Sequence, residues 1–251
     1  MMTSQFPFTE AQRVFKRKTF IVAALIAFFA MSVGPASAAP LTFDVTGFAG
    51  LGSLGNTLTF SQSGVTLNLT GWGYTYSALD NAFEKGALGQ WGVGVGVCNA
   101  AEGASCQVPE HQVDDSGPRD WVLFLFSEPV DVQTVVVDPY GVFDRDVRYF
   151  VGTVSSPLDL TGKTYADLVG LGFLSLFDDT STPSDEPRAV AITGGGFGNA
   201  LLFGPLVGGE ADGSDEFKIT SVSVQTVPDA GSSMLLLGTA LAALAGYARR
   251  R

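Results

Sequence analysis

The sequence predicts an all-β protein, a β-sandwich of jelly-roll type, with a helical segment at each end of the chain. Short segments of alternating apolar and polar residues recur through its middle, separated by turns rich in glycine, of which there are 31. Phenylalanine, with 19 residues, and valine are abundant, whereas lysine and glutamate are scarce, which favours strands over helices. No internal repeat of fixed period is evident, which argues against a solenoid or a propeller.

The N-terminal segment, residues 1–38, has the pattern of a secretory signal peptide. Four basic residues between positions 13 and 18 precede an apolar helix-forming segment, residues 20–30, which is too short to span a bilayer comfortably. Gly34-Pro35 breaks this helix, and Ala36-Ser37-Ala38 supplies the small residues of a cleavage site. Cleavage after Ala38 would leave a mature body of residues 39–226. An uncleaved N-terminal anchor is the alternative.

The body is strongly acidic. Between Pro40 and Pro228 there are 23 acidic and 7 basic residues, a net charge of −16. Such a body does not bind nucleic acid or anionic lipid through charge, because both are themselves negative. It is compatible with divalent cations, and its length suits one domain with a sizeable core.

Alternation places the early strands of the body. Residues 41–45 alternate with period two, and residues 57–60 and 65–70 predict a hairpin in which Val65, Leu67 and Leu69 share one face. The continuous apolar run Trp121–Phe126 predicts a strand that is buried on both faces.

Later segments continue the strand pattern. Alternation along Val130–Val137 breaks at Gln133-Thr134, which predicts a β-bulge after the turn at Glu128-Pro129. Further strands are expected at residues 147–154, 188–192, 200–203 and 217–227. The one helical turn is expected within residues 159–170, with Thr164 as N-cap and Asp167 at the third position.

Glycine and cysteine mark the region before Trp121. The segment Gly92–Cys98 predicts a strand with small residues on one face, because it lacks the spacing of a nucleotide-binding loop. Cys98 and Cys106 are the only cysteines. Export would place them in an oxidising compartment, so we expect a disulfide between them, with a metal pair or a catalytic thiol as alternatives.

Acidic residues of the body occur in clusters, and calcium is coordinated by several oxygens from such loops. The candidate ligands of a structural calcium are Glu110, Asp114 and Asp115. The alternative is that these carboxylates lie in solvated turns. Asp144-Arg145-Asp146 is expected to form a salt-bridged turn.

Catalytic motifs are weak in this sequence, which predicts that the protein is not an enzyme. There is no Gly-x-Ser-x-Gly elbow and no P-loop lysine, and Asp115-Ser116-Gly117 is a single copy of a triplet that aspartic proteases need twice. His111, the one histidine, could act as a base, but beside Pro109-Glu110 it is expected to be structural.

The C-terminal segment, residues 227–251, has three parts in a fixed order. A polar motif, Val227–Ser233, precedes an apolar run, Met234–Ala248, and the chain closes with Arg249, Arg250 and Arg251. As a helix, residues 231–248 would extend about 27 Å, close to a bilayer core of about 30 Å. The predicted transmembrane residues include Met234, Leu235, Leu236, Leu237, Leu241 and Leu244. The arginines would stay on the cytoplasmic side as a stop signal.

This order of parts resembles the C-terminal signals that exosortases read in Gram-negative bacteria, the PEP-CTERM family, and most of all its VPDSG-CTERM variant. The resemblance is carried by the apolar run, the basic end and the motif residues Val227, Pro228, Asp229, Gly231 and Ser232, whereas Ala230 stands where the variant has serine. The resemblance implies sorting, cleavage near the motif and delivery to the surface. A plain tail anchor is the alternative.

These features predict an exported, exosortase-processed cell-surface or extracellular-matrix protein with a non-catalytic body and no required cofactor. The expected partners are an exosortase, the inner membrane before processing, and an extracellular polysaccharide, but no nucleic acid. One alternative is a carbohydrate-binding module that stacks sugars on Trp72, Tyr74, Tyr76 and Trp91. A glycoside hydrolase that uses a carboxylate pair is a more distant one.

Overall fold

The structure is a computed structural model that describes residues 40–75, 81–102, 111–139, 141–206 and 215–227, together with 238–242, 244–246 and 248. The signal-peptide prediction for residues 1–38 lies outside the described residues.

The described part of the body is mostly β, as predicted. Its strands are β1 (Pro40–Asp44), β2 (Gly50–Leu51), β3 (Thr57–Gln62), β4 (Val65–Tyr74), β5 (Phe83–Lys85), β6 (Ala87–Trp91), β7 (Gly94–Cys98), β8 (Val113–Asp114), β9 (Arg119–Asp138), β10 (Val147–Gly152), β11 (Phe173–Asp179), β12 (Arg188–Ala191), β13 (Phe197–Pro205) and β14 (Glu216–Thr226).

The helices described within the body are short. α1 spans Tyr165–Leu168, and single 3₁₀ turns lie at Ala100–Glu102 and Val169–Leu171. The carboxylate of Asp167 accepts hydrogen bonds from the backbone nitrogen of Thr164, at 2.8 Å, and from its hydroxyl, at 2.9 Å. This capping confirms the predicted start of the helical turn.

The strands form an open sheet in which the strand order differs from the order in the chain. The longest strand, β9, pairs with different strands along its length. The order along the sheet is β11-β10-β13-β9-β14-β7-β6-β2. Residues 119–126 of β9 pair with β4 and residues 130–138 with β14, while β13 pairs with residues 122–125 and 130–131 and β12 with residues 134–137. The strand runs through Glu128-Pro129, where the sequence had predicted a turn. The jelly-roll arrangement stays a prediction.

Two predicted local features of the strands are confirmed. The hairpin β3–β4 closes with Gln62 paired to Val65, so its turn is only Ser63-Gly64, and both residues have positive φ. In β9, Val132 pairs with Val224 while Thr134 pairs with the adjacent Ser223. Gln133 is therefore the extra residue of a β-bulge at the predicted position.

The first half of β9 is buried on both faces, as its apolar run predicted. Val122, Phe124 and Phe126 belong to the larger core, which also takes residues from β1, β4, β10, β13 and β14. Trp121 and Leu123 belong to a second core on the opposite face, which is covered by α1 through Leu168. This central position explains why the segment carries no exposed polar face.

The last strand of the body, β14, lies between β1 and β9. The start of β14 contacts the segments that carry the buried acidic residues. Pro40 in β1 pairs with Gln225 near the end of β14, and Val130 in β9 pairs with Thr226. At its other end, Glu216 pairs with Asp114 in β8, and the neighbouring Asp215 forms a bridge with Asp144.

Candidate functional site

The structure separates the three residues that the sequence suggested as calcium ligands. Asp114, at the end of β8, is buried and lies with Glu102 and Asp120, their ligand oxygens all within 4.8 Å of one another. Asp115 faces another way, because its carboxylate accepts a hydrogen bond from the backbone nitrogen of Asp215 at 3.2 Å. Glu110 lies outside the described residues. We call Glu102, Asp114 and Asp120 the first acidic group.

Asn99, which directly follows β7, supports the first acidic group. Its side-chain nitrogen donates to Oδ1 of Asp120 at 3.2 Å, and its backbone nitrogen donates to the carboxylate of Glu102 at 3.0 Å. Oδ2 of the fully buried Asp120 has no hydrogen-bond partner. Asp114 Oδ1 accepts from the backbone nitrogen of Ser116 at 2.8 Å. Asp120 therefore has one buried carboxylate oxygen that accepts no hydrogen bond.

Burial shifts the protonation of the first acidic group. Burial, and then the nearby charge of Glu102, raise the pKa of Asp114 to about 8. The pKa of Asp120 is raised well above its ordinary value, again by burial first and then by Asp114 and Glu102. Both causes disfavour the charged form, so these carboxylates are held in an environment that repels negative charge.

A second acidic group, Asp144, Asp146 and Asp215, lies close by and was missed by the sequence analysis. All three residues are buried, and their ligand oxygens also lie within 4.8 Å of one another. Asp144 and Asp146 precede β10 and Asp215 precedes β14, so the group forms only when distant parts of the chain meet. Sequence spacing alone gave no signal for this grouping, although each acidic residue was visible in its own cluster.

The predicted salt-bridged turn Asp144-Arg145-Asp146 is wrong. The guanidinium of Arg145 donates instead to the backbone carbonyl oxygens of Glu186, at 2.6 Å, and Thr182, at 2.9 Å. The carboxylates of Asp144 and Asp146 lie instead with that of Asp215, with their ligand oxygens within 4.8 Å of one another.

Hydrogen bonds fix the second acidic group from three chain segments. Asp144 Oδ1 accepts from the backbone nitrogen of Arg145, at 2.7 Å, and from the hydroxyl of Ser181, at 3.0 Å. Asp146 Oδ1 accepts from the backbone nitrogen of Ser181, and Asp215 Oδ1 accepts from that of Asp146 at 3.0 Å. Burial, followed by the charge of Asp115, raises the pKa of Asp215 to about 8.

Cys98, the last residue of β7, is buried, and the described residues contain no free cysteine. Cys106 lies outside the described residues. The pairing of Cys98 with Cys106 therefore stays a prediction.

The aromatic residues suggested for sugar stacking are mostly internal. Trp72 and Tyr74 are 3% and 4% exposed and belong to the second core, so neither presents a ring to solvent. Trp91 is half-buried and packs on the ring of His111, with centroids 4.6 Å apart, while Lys218 Nζ lies 5.3 Å from its ring centroid. Tyr76 lies outside the described residues. The His111 contact agrees with the structural role expected for that residue.

The C-terminal segment is described in part. Val227 follows β14 and is about half exposed, and residues 238–242, 244–246 and 248 are helical. Most of the motif, Met234–Leu237 and Arg249–Arg251 lie outside the described residues. Within the part of the chain that the structure describes, no helix combines the length and apolar character needed to cross a bilayer. The transmembrane helix stays a prediction.

Comparison with known proteins identifies this segment. It is a C-terminal sorting signal of the PEP-CTERM type. The family model that matches is the VPDSG-CTERM motif, over residues 226–251, as the sequence analysis expected. Searches among curated proteins and among solved structures find no match to the chain.

Proposed function

We propose that this is an exported cell-surface or extracellular-matrix protein that an exosortase releases from a temporary membrane anchor, and that its acidic body is a non-catalytic β-sandwich. One observation carries the proposal. The VPDSG-CTERM match begins at Thr226, the residue at which β14 ends, so the sorting signal starts where the last strand of the body stops.

The parts of the signal have separate physical roles in this proposal. The apolar run holds the chain in the inner membrane, and the three terminal arginines keep its end on the cytoplasmic side. Pro228 cannot donate a backbone hydrogen bond, which disfavours a regular helix through the motif and would leave it accessible to the exosortase. Cutting near the motif then frees the body, in the way that a GPI signal exchanges its apolar tail.

The packing of the carboxylates supports a non-catalytic body. Asp120, Asp144 and Asp146 are at most 1% exposed, so a sugar or peptide substrate cannot reach them. A glycoside hydrolase needs two carboxylates on either side of an accessible bond. Among the described aromatic residues of the suggested sugar-stacking set, two are buried, so we do not extend the proposal to carbohydrate binding.

The β-sandwich part of the proposal is supported by the shared core. Val130, Val132 and Val135 from the second half of β9 pack in the same core as Val122 and Phe124 from the first half. A strand whose two halves pair in turn with β4 and with β14 and share a common interior is expected when a sheet folds over on itself.

Mass spectrometry of both termini, in membrane and surface fractions, tests the sorting proposal. The surface form should begin near Ala39 and lack the residues that follow the motif. Asp229→Ala should leave the tail attached and hold the chain in the membrane fraction, whereas Asp185→Ala, at an exposed site in the body, should be processed normally. Normal processing of the Asp229→Ala chain, or a soluble cytosolic chain that retains Arg249–Arg251, would contradict the proposal.

A further inference from the structure

We propose that Asp144, Asp146 and Asp215 bind one divalent hard cation, with calcium as the best fit, at the start of β14. The proposal rests on the geometry of the second acidic group and is independent of sorting by an exosortase. It differs from the calcium site suggested by the sequence, whose described members are Asp114 and Asp115.

The spacing of the carboxylate oxygens suits a calcium shell. Oxygen ligands lie about 2.3–2.6 Å from calcium, so two of them on opposite sides of the ion are about 5 Å apart. The three ligand oxygens of the second acidic group lie within 4.8 Å of one another, so all three fit one shell. Magnesium usually keeps several water ligands and is rarely held by a site made only of protein oxygens, which favours calcium here.

Two buried carboxylate oxygens without a hydrogen-bond partner are independent evidence that the group binds a ligand. Oδ2 of Asp144 and Oδ2 of Asp146 are buried and have no hydrogen-bond partner, although each residue is only 1% exposed. In both residues the other oxygen is held by donors from the protein, which fixes the carboxylate plane. Buried polar oxygens in folded proteins are normally satisfied, and a bound cation would satisfy these two.

The charge balance also favours a positive partner. Among the described residues, no lysine or arginine nitrogen lies within 4.0 Å of the carboxylates of the second acidic group. Arg145 is directed to backbone carbonyl oxygens, and Arg188 donates to the carboxylate of Asp179 at 2.5 Å. Three buried carboxylates with no counter-charge repel one another, and a divalent cation would offset most of that repulsion.

The second acidic group is a better site than the first. All three of its side chains are buried, whereas Glu102 in the first group is half-buried and already accepts a hydrogen bond from Asn99. Its ligands also come from two segments far apart in the chain, and a third segment, at Ser181, donates to two of them. A cation there would tie all three segments to the start of β14.

Calcium titration of the full-length chain in detergent, after removal of metals with EDTA, tests the proposal. Extracellular calcium modules typically have dissociation constants of about 0.1–1 mM, so about 10 mM calcium chloride should raise the thermal midpoint by about 3–10 °C. Sodium chloride at equal ionic strength is the control for general screening of the acidic body. Equilibrium dialysis with calcium measures binding directly.

Substitutions locate the site. Asp146→Asn should weaken calcium binding at the site at least tenfold and remove most of the midpoint shift. In the metal-free chain it should not lower the midpoint, because it relieves repulsion between carboxylates. Asp185→Asn, at an exposed position, should respond to calcium like the unmodified chain. A shift that survives Asp146→Asn but disappears in Asp120→Asn would assign the cation to the first acidic group and overturn the proposal.

Hydrogen exchange gives a local measure that does not depend on the variants folding well. Calcium should slow amide exchange in peptides that cover residues 141–147, 180–184 and 215–219, while the β3–β4 hairpin exchanges as before. Absence of calcium binding, with unchanged exchange in these peptides, would refute the site.

Discussion

Two glycines of β7 allow it to lie against backbone where no side chain fits. A Cβ on Gly94 would overlap the carbonyl oxygen of Ile219 in β14, and a Cβ on Gly96 would overlap that of His111. Gly94 also has a positive φ of 124°, which L side chains rarely adopt. The glycine spacing in the sequence predicts small residues on one face of this strand, and the close approach of the neighbouring backbone is the physical reason for them.

Gly96→Ala should destabilise the protein by about 1–3 kcal/mol, because the added methyl would lie 1.8 Å from the backbone carbonyl oxygen of His111. Gly170→Ala is the matched control. No atom lies within 4 Å of its Cβ position, so its unfolding free energy should change by less than about 0.5 kcal/mol. Urea unfolding followed by tryptophan fluorescence measures both variants, and equal stabilities would show that β7 can shift away from residue 111.

Grouping of carboxylates is the residue-scale feature that the sequence could not predict. Asp144, Asp146 and Asp215 were each visible as acidic residues, but their side chains meet only because Asp144 bridges Asp215 across the fold. Local spacing instead suggested an ion pair with Arg145, whose guanidinium donates to the backbone carbonyl oxygens of Glu186 and Thr182. Contacts of this kind depend on the final strand order, and the order is not encoded in any short segment.

At the level of secondary-structure elements, the predictions that succeeded concern features set by residues close together in the sequence. The β3–β4 hairpin, the doubly buried half of β9, the bulge at Gln133 and the capped turn at Thr164 all follow from short-range pattern or hydrogen bonding. Strands such as β11 were missed, and the expected turn at Pro129 proved to lie within β9. Proline at a position where the strand changes neighbours need not donate to the ladder, so the strand continues.

The bulge makes a prediction about deletions in β9. Removing Gln133 should leave Val132 and Val135 facing the core, because it is the extra residue of an otherwise regular ladder. Removing Asp131 instead would absorb the bulge by turning Val132 outward and Gln133 inward. The Asp131 deletion should therefore lower the thermal midpoint by about 5 °C or more beyond the Gln133 deletion.

Circular dichroism on both deletion chains provides the measurement. The Gln133 deletion still loses the hydrogen bond that Ile192 donates to the Gln133 carbonyl oxygen, so a small decrease is expected there. Equal decreases in the two chains would show that register in this part of β9 is not set by the inward-facing valines.

At the scale of the whole molecule, the sequence was enough to recognise the sorting signal but not to predict how the strands pair. The sorting signal is read along consecutive residues, so its motif, apolar run and basic end could be recognised without a structure. The path of the sheet could not, because pairings such as Pro40 with Gln225 join opposite ends of the body. Such pairings follow from the packing of the complete chain, which local patterns do not specify.

Export also predicts the oxidation state of the two cysteines. The exported chain should carry a Cys98–Cys106 disulfide, so denaturation without reductant should leave no thiol for alkylation. A version without residues 1–38, retained in the cytosol, should be alkylated at both cysteines. Mass spectrometry of the alkylated peptides makes the comparison.

Exported Cys106→Ser is the control, since it should expose one reactive thiol at Cys98. Alkylation of Cys98 in the unmodified exported chain without reduction would contradict the disulfide.

The pairing of Pro40 with Gln225 has a geometric consequence for biogenesis. β1 starts beside the point where β14 finishes, so the two ends of the described body lie next to each other. The predicted cleavage after Ala38 and the predicted cut near the motif would therefore both fall close to these neighbouring ends. Two scissions on the same side of the body would then detach it without any strand having to leave the sheet.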